Sequence, residues 1–89
     1  MNDLISIITP SYNSKYFVGD TIRSVLSQGY KNWEMIIVDD CSNDNSRNII
    51  SNFSEKDERI KSIFLEDNVG AAEARNIAIR QSKGKYIAF

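Results

Sequence analysis

The chain has 89 residues, 42% of them hydrophobic and 26% charged, with a formal net charge of −1 and no histidine. This is the composition of one small globular domain. It shows no basic stripe, which excludes a nucleic-acid backbone as a main partner, and its single cysteine, Cys41, excludes an internal disulfide.

"LISIIT", Leu4 to Thr9, is short and rich in β-branched residues and reads as a buried strand, which Pro10 is expected to end. "SYNSKY" follows as a polar loop. From Phe17 the period changes. Val18, Ile22, Val25 and Leu26 fall on one face of a helix, with Gly29 as its C-terminal stop. "WEMIIVDD" is a second strand. Its run Met35 to Val38 does not alternate, which predicts cover on both faces and hence a parallel sheet between helices.

"CSNDNS" is turn chemistry, with Asn43 or Asp44 placed to cap a second helix whose apolar face is Ile49, Ile50 and Phe53. "IKSIFLE" is a third strand and "AAEARNIAIRQS" a third helix, closed by Gly84. "KYIAF" opens a fourth strand. The expected fold is therefore α/β: a Rossmann-like, three-layer βαβαβαβ unit over residues 1–89 with a mostly parallel sheet and right-handed crossovers.

In such a sheet, ligands bind beyond the carboxyl ends of the strands. Three polar loops meet that edge: "TPSYNS", "DDCSND" and "EDNVG". The loops of the opposite edge look like ordinary surface connections. Asp39 and Asp40 close the most apolar strand and can accept hydrogen bonds from a ribose or a base, bind metal, or cap the next helix. A dinucleotide site needs a glycine-rich turn after the first strand, and "TPSYNS" has none, which disfavours NAD and FAD. No phosphate-binding "GxxxxGK" occurs either. Tyr12 offers a ring that can stack on a base. At about 100° per residue, Arg75 projects between Ala71 and Ala72 on one turn and Ala78 and Ile79 on the next. A guanidinium on that face is expected to pair with Asp39, Asp40 or Asp67, or to meet an anion.

"ISIITPSYNS", "WEMIIVDDCSNDNS" and "DNVGAAEARNIAI" together resemble the N-terminal half of the inverting glycosyltransferases of family 2, over nearly the whole chain. The resemblance implies the GT-A fold and a nucleotide-sugar donor, commonly a UDP-sugar. It implies that Thr9, Pro10 and Tyr12 wall the nucleobase and that Asp39 accepts the uracil imide hydrogen. Asp40 and Asp44 shape the loop, Asn68 and Gly70 set the turn beneath base and ribose, and Arg75 reaches the nucleotide. It implies Mn²⁺ or Mg²⁺ in the full-length enzyme and an acceptor that is a saccharide, lipid or protein. The metal-binding acidic motif and the catalytic base, which in the family follow a strand like "KYIAF", are absent, so these residues read as a donor-binding segment without catalytic residues of its own.

Many members have glycine where this chain has Cys41, which is taken as a tolerated loop residue and not a nucleophile. The alternative is a non-catalytic α/β module that binds a nucleotide or a protein. The expected location is cytoplasmic, at the membrane face in the full-length protein, and self-association is expected through an exposed sheet edge.

Overall fold

The computed structural model describes residues 3–89. Strands β1 (Ile5–Ser11), β2 (Trp33–Asp39), β3 (Ile60–Phe64) and β4 (Tyr86–Ala88) alternate with helices α1 (Val18–Ser27), α2 (Ser46–Lys56) and α3 (Ala71–Gln81). The sheet order is β3-β2-β1-β4 and every pairing is parallel. The chain steps outward from β1 to β3, then α3 carries it back to the other side of β1.

The central strand explains the layers. All seven residues of β2 are buried. Successive side chains of a strand point to opposite faces, and β2 obeys this. Trp33, Met35 and Ile37 join Val18 and Ile22 of α1 and Ile50 of α2 in one core. Ile36 and Val38 join Ile8 of β1 and Ala74 and Ala78 of α3 in the other. The absence of alternation in "MIIV" is thus the signature of a strand covered on both sides.

Pro10 does not end β1, which continues to Ser11 and stays in register with β2, Pro10 opposite Val38. The reason lies in which way each residue's N–H points. Ile5 donates to Asn32 O and Ser11 O accepts from Asp40 N, so odd residues of β1 face β2. Leu4 O accepts from Lys85 N, so even residues face β4, whose pairing with β1 stops at Ile7. The N–H that Pro10 lacks would therefore point where no strand is paired, the position in a sheet where proline is tolerated.

The amino edge, expected to be plain surface, holds a buried carboxylate. Glu34 accepts from Ser6 Oγ at 2.5 Å, Lys61 Nζ at 2.7 Å and Lys83 N at 2.6 Å, and Ser6 Oγ in turn accepts from Gly84 N at 2.8 Å. Burial alone would raise the Glu34 pKa, but the hydrogen bonds from Lys61, Ser6 and Lys83, with the Lys61 charge, hold it below the ordinary 4.5. This cluster fixes the turn between α3 and β4. The approach is so close that a Cβ on Gly84 would sit 2.5 Å from Ser6 Oγ and 2.6 Å from Ser6 N. At Gly29 a Cβ would meet nothing within 4 Å.

Gly84→Ala is expected to destabilise by about 2 kcal/mol through overpacking against backbone, and Gly29→Ala far less; urea unfolding of the two variants checks this. Because the folded Glu34 pKa is depressed, its contribution to stability is present above the ordinary value of 4.5 and is lost as pH falls through the folded value. Replacing Glu34 by Gln is expected to flatten that part of the stability profile, measured by thermal unfolding between pH 3 and pH 7.

Candidate nucleotide site

The carboxyl edge is built on the end of β2. The same alternation that sorts the two cores sends Asp39 towards α2 and Asp40 towards α3. Asp39 is fully buried. It accepts from Ser42 N at 3.0 Å, Ser42 Oγ at 2.6 Å and Arg47 Nε at 2.9 Å. Arg47 also donates through Nη2 to Leu65 O and lies with its guanidinium 5.4 Å from the Phe64 ring centroid.

Asp40 is 3% exposed and its two oxygens take the backbone donors just before α3: Val69 N at 2.7 Å and Gly70 N at 2.9 Å. Asn68 Nδ2 closes the ring on Asp40 O at 3.1 Å. Helix α3 has no side-chain cap from its own N-terminal residue, Gly70, whose φ of 90° is a left-handed value that suits glycine. A carboxylate from the neighbouring loop instead fixes the two residues just ahead of the helix, on the side of its positive dipole end. Each carboxylate oxygen can accept more than one hydrogen bond, so Asp40 retains acceptor capacity towards the space in front of it.

That space is a cleft of ≈ 290 Å³ lined by Pro10, Ser11, Tyr12, Asp40, Asn68, Gly70 and Ala71. Tyr12 is 53% exposed, a ring available at its mouth. Two loops brace it. Asn13, at a φ of 47°, donates from its N–H to Ser42 Oγ at 2.8 Å and accepts from Asn43 N at 3.0 Å. Asp44 accepts from Lys15 N at 3.2 Å and, at the start of α2, from Ser46 N at 2.9 Å. Asp44 therefore performs the capping expected of it from one residue outside the N-cap position, held by Asn45.

Pro10, Tyr12, Asp40, Asn68 and Gly70 are brought together as the sequence suggests, and three expected residues are not. Asp39 does not line the cleft: its carboxylate is turned away and closed by Ser42 and Arg47. Thr9 lies one residue before the lining and, by the alternation of β1, shares the face of Ile5 and Ile7 that packs on the α1–α2 core. Arg75 is exposed and not central to a packed face, because α3 meets the sheet through Ala74 and Ala78. Its guanidinium lies 5.6 Å from the ring centroid of Phe89, just beyond β4.

Arg47 is the residue that sequence reasoning missed. Its signal is a cation in the first turn of a helix with no acidic residue there, where the dipole disfavours it unless it has a partner elsewhere. Cys41 sits between the two functional stretches with a φ of 62°. Its Sγ donates to Glu66 O at 3.2 Å. Among the described residues no group of three Cys, Asp or Glu could hold a metal ion.

A four-stranded parallel sheet with a cleft at the carboxyl ends of β1 and β2 and the start of α3 defines an open α/β unit with a candidate ligand site on its carboxyl edge. The chain belongs to glycosyl transferase family 2, whose family profile matches residues 6–89. It is 52% identical over 86 residues to TuaG of Bacillus subtilis, named as a teichuronic acid biosynthesis glycosyltransferase, with 97% of this chain and 34% of that protein aligned. It is 48% identical over 86 residues to WfgD of Escherichia coli, named as a UDP-Glc:alpha-D-GlcNAc-diphosphoundecaprenol beta-1,3-glucosyltransferase, with 97% of this chain and 33% of that protein aligned.

Among solved structures it superposes on S. aureus TarS residues 1–349 in complex with UDP-GlcNAc with a TM-score of 0.86 at 31% identity, covering 93% of this chain and 24% of that one. The mannosyltransferase PcManGT from Pyrobaculum calidifontis, in complex with GDP-Man and Mn²⁺, shares the fold with a TM-score of 0.88 at 21% identity, covering 98% of this chain and 26% of that one. The chain spans about a third of the length of the curated relatives it matches.

The left-handed backbone at Cys41 gives a physical reason for the glycine that the family resemblance implies at this place. Cys41→Gly is expected to leave stability unchanged or raise it by about 1 kcal/mol, whereas Cys41→Val lowers it, read by chemical denaturation. Asp39→Ala strips the partner from a guanidinium and is expected to cost about 3 kcal/mol, measured in the same way.

Proposed function

We propose that these residues form the donor-nucleotide half-site of an inverting glycosyltransferase that takes a UDP-sugar. One observation carries the reading: a buried carboxylate, Asp40, held by the Val69 and Gly70 amides just before α3 and facing a cleft walled by Pro10, Tyr12, Asn68 and Gly70. Uracil offers an imide N–H that a carboxylate can accept, where cytosine offers only an acceptor at the same position. Asp40 takes the base-reading role that the resemblance implied for Asp39. The Tyr12 ring stacks on the base, a contact worth about 1–3 kcal/mol, and Gly70 permits close approach beneath the ribose. Thr9 and Arg75 stand outside this set, with Arg75 available to the remainder of the donor from the β4 side.

In the whole enzyme, a base deprotonates an acceptor hydroxyl. That oxygen attacks the anomeric carbon, the bond from that carbon to the diphosphate breaks, UDP leaves with the electron pair, and the configuration inverts. The acceptor proposed is a lipid-linked saccharide, in keeping with the name of the WfgD relative, and the work is placed at the cytoplasmic membrane face. No helix among the described residues is long and apolar enough to cross a membrane. The described residues offer neither a ligand set for Mn²⁺ or Mg²⁺ nor a side chain assigned as the base, so the 89-residue chain is expected to bind donor nucleotide without transferring sugar.

Titration of the ¹⁵N-labelled chain with UDP, with CMP as the control, is the test. UDP is expected to shift the amides of Tyr12, Asp40 and Gly70, with Asp40→Asn and Tyr12→Ala each weakening binding about tenfold, equivalent to about 1.4 kcal/mol. Asp40→Asn is also expected to narrow the gap between UDP and CMP. A folded chain whose amides do not respond to UDP would overturn the assignment.

A further inference from the structure

We propose that Arg47 is a positioning residue for this site, acting through Asp39 to set the spacing of the two loops that hold Asp40; the link to nucleotide binding rests on the reading above. Residues 65–70 connect β3 to α3, and apart from the first turn of α3 itself, where Ala74 N donates to Gly70 O, their hydrogen bonds run almost all to residues 39–41. Leu65 N donates to Asp39 O at 2.9 Å, Cys41 Sγ to Glu66 O, Asn68 to Asp40 O, and Val69 and Gly70 to the Asp40 carboxylate. Arg47 is the exception. It reaches from α2, binds Asp39 through Nε and Leu65 O through Nη2, and covers the Phe64 ring. One planar guanidinium with donors in a fixed fork thus spans the end of β2 and the end of β3. Its side chain is 39% exposed while that of Asp39 is wholly buried, so the pair anchors on the Asp39 side.

Asp39 and Asp40 are adjacent, and a rigid peptide joins them. A shift of the Asp39 carboxylate towards another donor turns the Asp40 carboxylate on the Val69 and Gly70 amides. Lysine at position 47 can satisfy the charge of Asp39, but it lacks the fork that joins Asp39 to Leu65. Glutamine retains a donor and loses the charge.

The test compares Arg47→Lys, Arg47→Gln and the unaltered chain by ¹⁵N NMR, first without ligand and then with UDP. Without ligand, Arg47→Gln is expected to shift the Val69 and Gly70 amides and to speed their hydrogen exchange at least tenfold. Ile22 of α1 and Trp33 and Met35 at the opposite end of β2 are expected to keep their shifts and protection. Arg47→Lys is expected to restore the Asp39 environment but not the Val69 and Gly70 signals. With UDP, the glutamine variant is expected to bind about five- to tenfold more weakly.

Uniform loss of protection across the core, or Val69 and Gly70 signals that match the unaltered chain, would overturn the proposal and leave Arg47 as a stability residue only. Displaced Val69 and Gly70 signals with UDP affinity unchanged would overturn its link to binding. Displaced signals in a series where even the unaltered chain ignores UDP would uphold the loop spacing and remove the nucleotide reading instead.

Discussion

Two adjacent carboxylates at the end of a buried strand cannot share one set of partners. The alternation of β2 aims Asp39 at α2 and Asp40 at α3, and burial requires each to find its own donors. Asp39 takes Ser42 and Arg47; Asp40 takes the two amides that lead into α3. The carboxyl edge is organised by this division. The β2–α2 loop must curl back through a left-handed Cys41 to bring Ser42 to Asp39. The β3–α3 loop must rise far enough to bring Val69 and Gly70 to Asp40. The cleft is the space left in front of Asp40 when both demands are met.

The opposite edge answers a different need. A glutamate at the start of β2 is buried on the α3 side and bonded to Ser6, and three groups from β3 and the turn after α3 converge on the pair. This locks the turn after α3 at its far end, while Asp40 locks the near end. The helix is thus pinned near both termini by two carboxylates, Glu34 in β2 and Asp40 just beyond its end, that point to the same side of the sheet. Its own contribution is small side chains, Ala74 and Ala78, that let it lie close on the sheet.

The architecture was legible because period is a strong signal: a helical stripe in α1, and an unbroken apolar run in β2 that only a two-sided strand explains. The site was legible as an edge and only partly as residues. Parity along "MIIVDD" contains the distinction between Asp39 and Asp40, since Met35 and Ile37 share a face with the first and Ile36 and Val38 with the second. Using it requires knowing which helix covers which face. Arg75 was misplaced for a different reason. Alanines on every side of α3 give no contrast, so an angular projection over them cannot locate the packed stripe. Arg47 lay in a polar run with no period at all, and Glu34 in a strand whose apolar neighbours hid it. Pro10 reads as a stop in any single-strand view; only the sheet order shows that its nitrogen faces an unpaired side.

That nitrogen has a consequence for what can grow on the sheet. Among the described residues nothing pairs with the β4 side of β1 beyond Ile7, where Ile8 and Pro10 turn their main-chain groups outward. A foreign strand that tried to extend the ladder there would find a ring where it needs a donor. Whatever segment lies along that side must do without a donor at Pro10, so the ladder loosens where the mouth of the cleft begins.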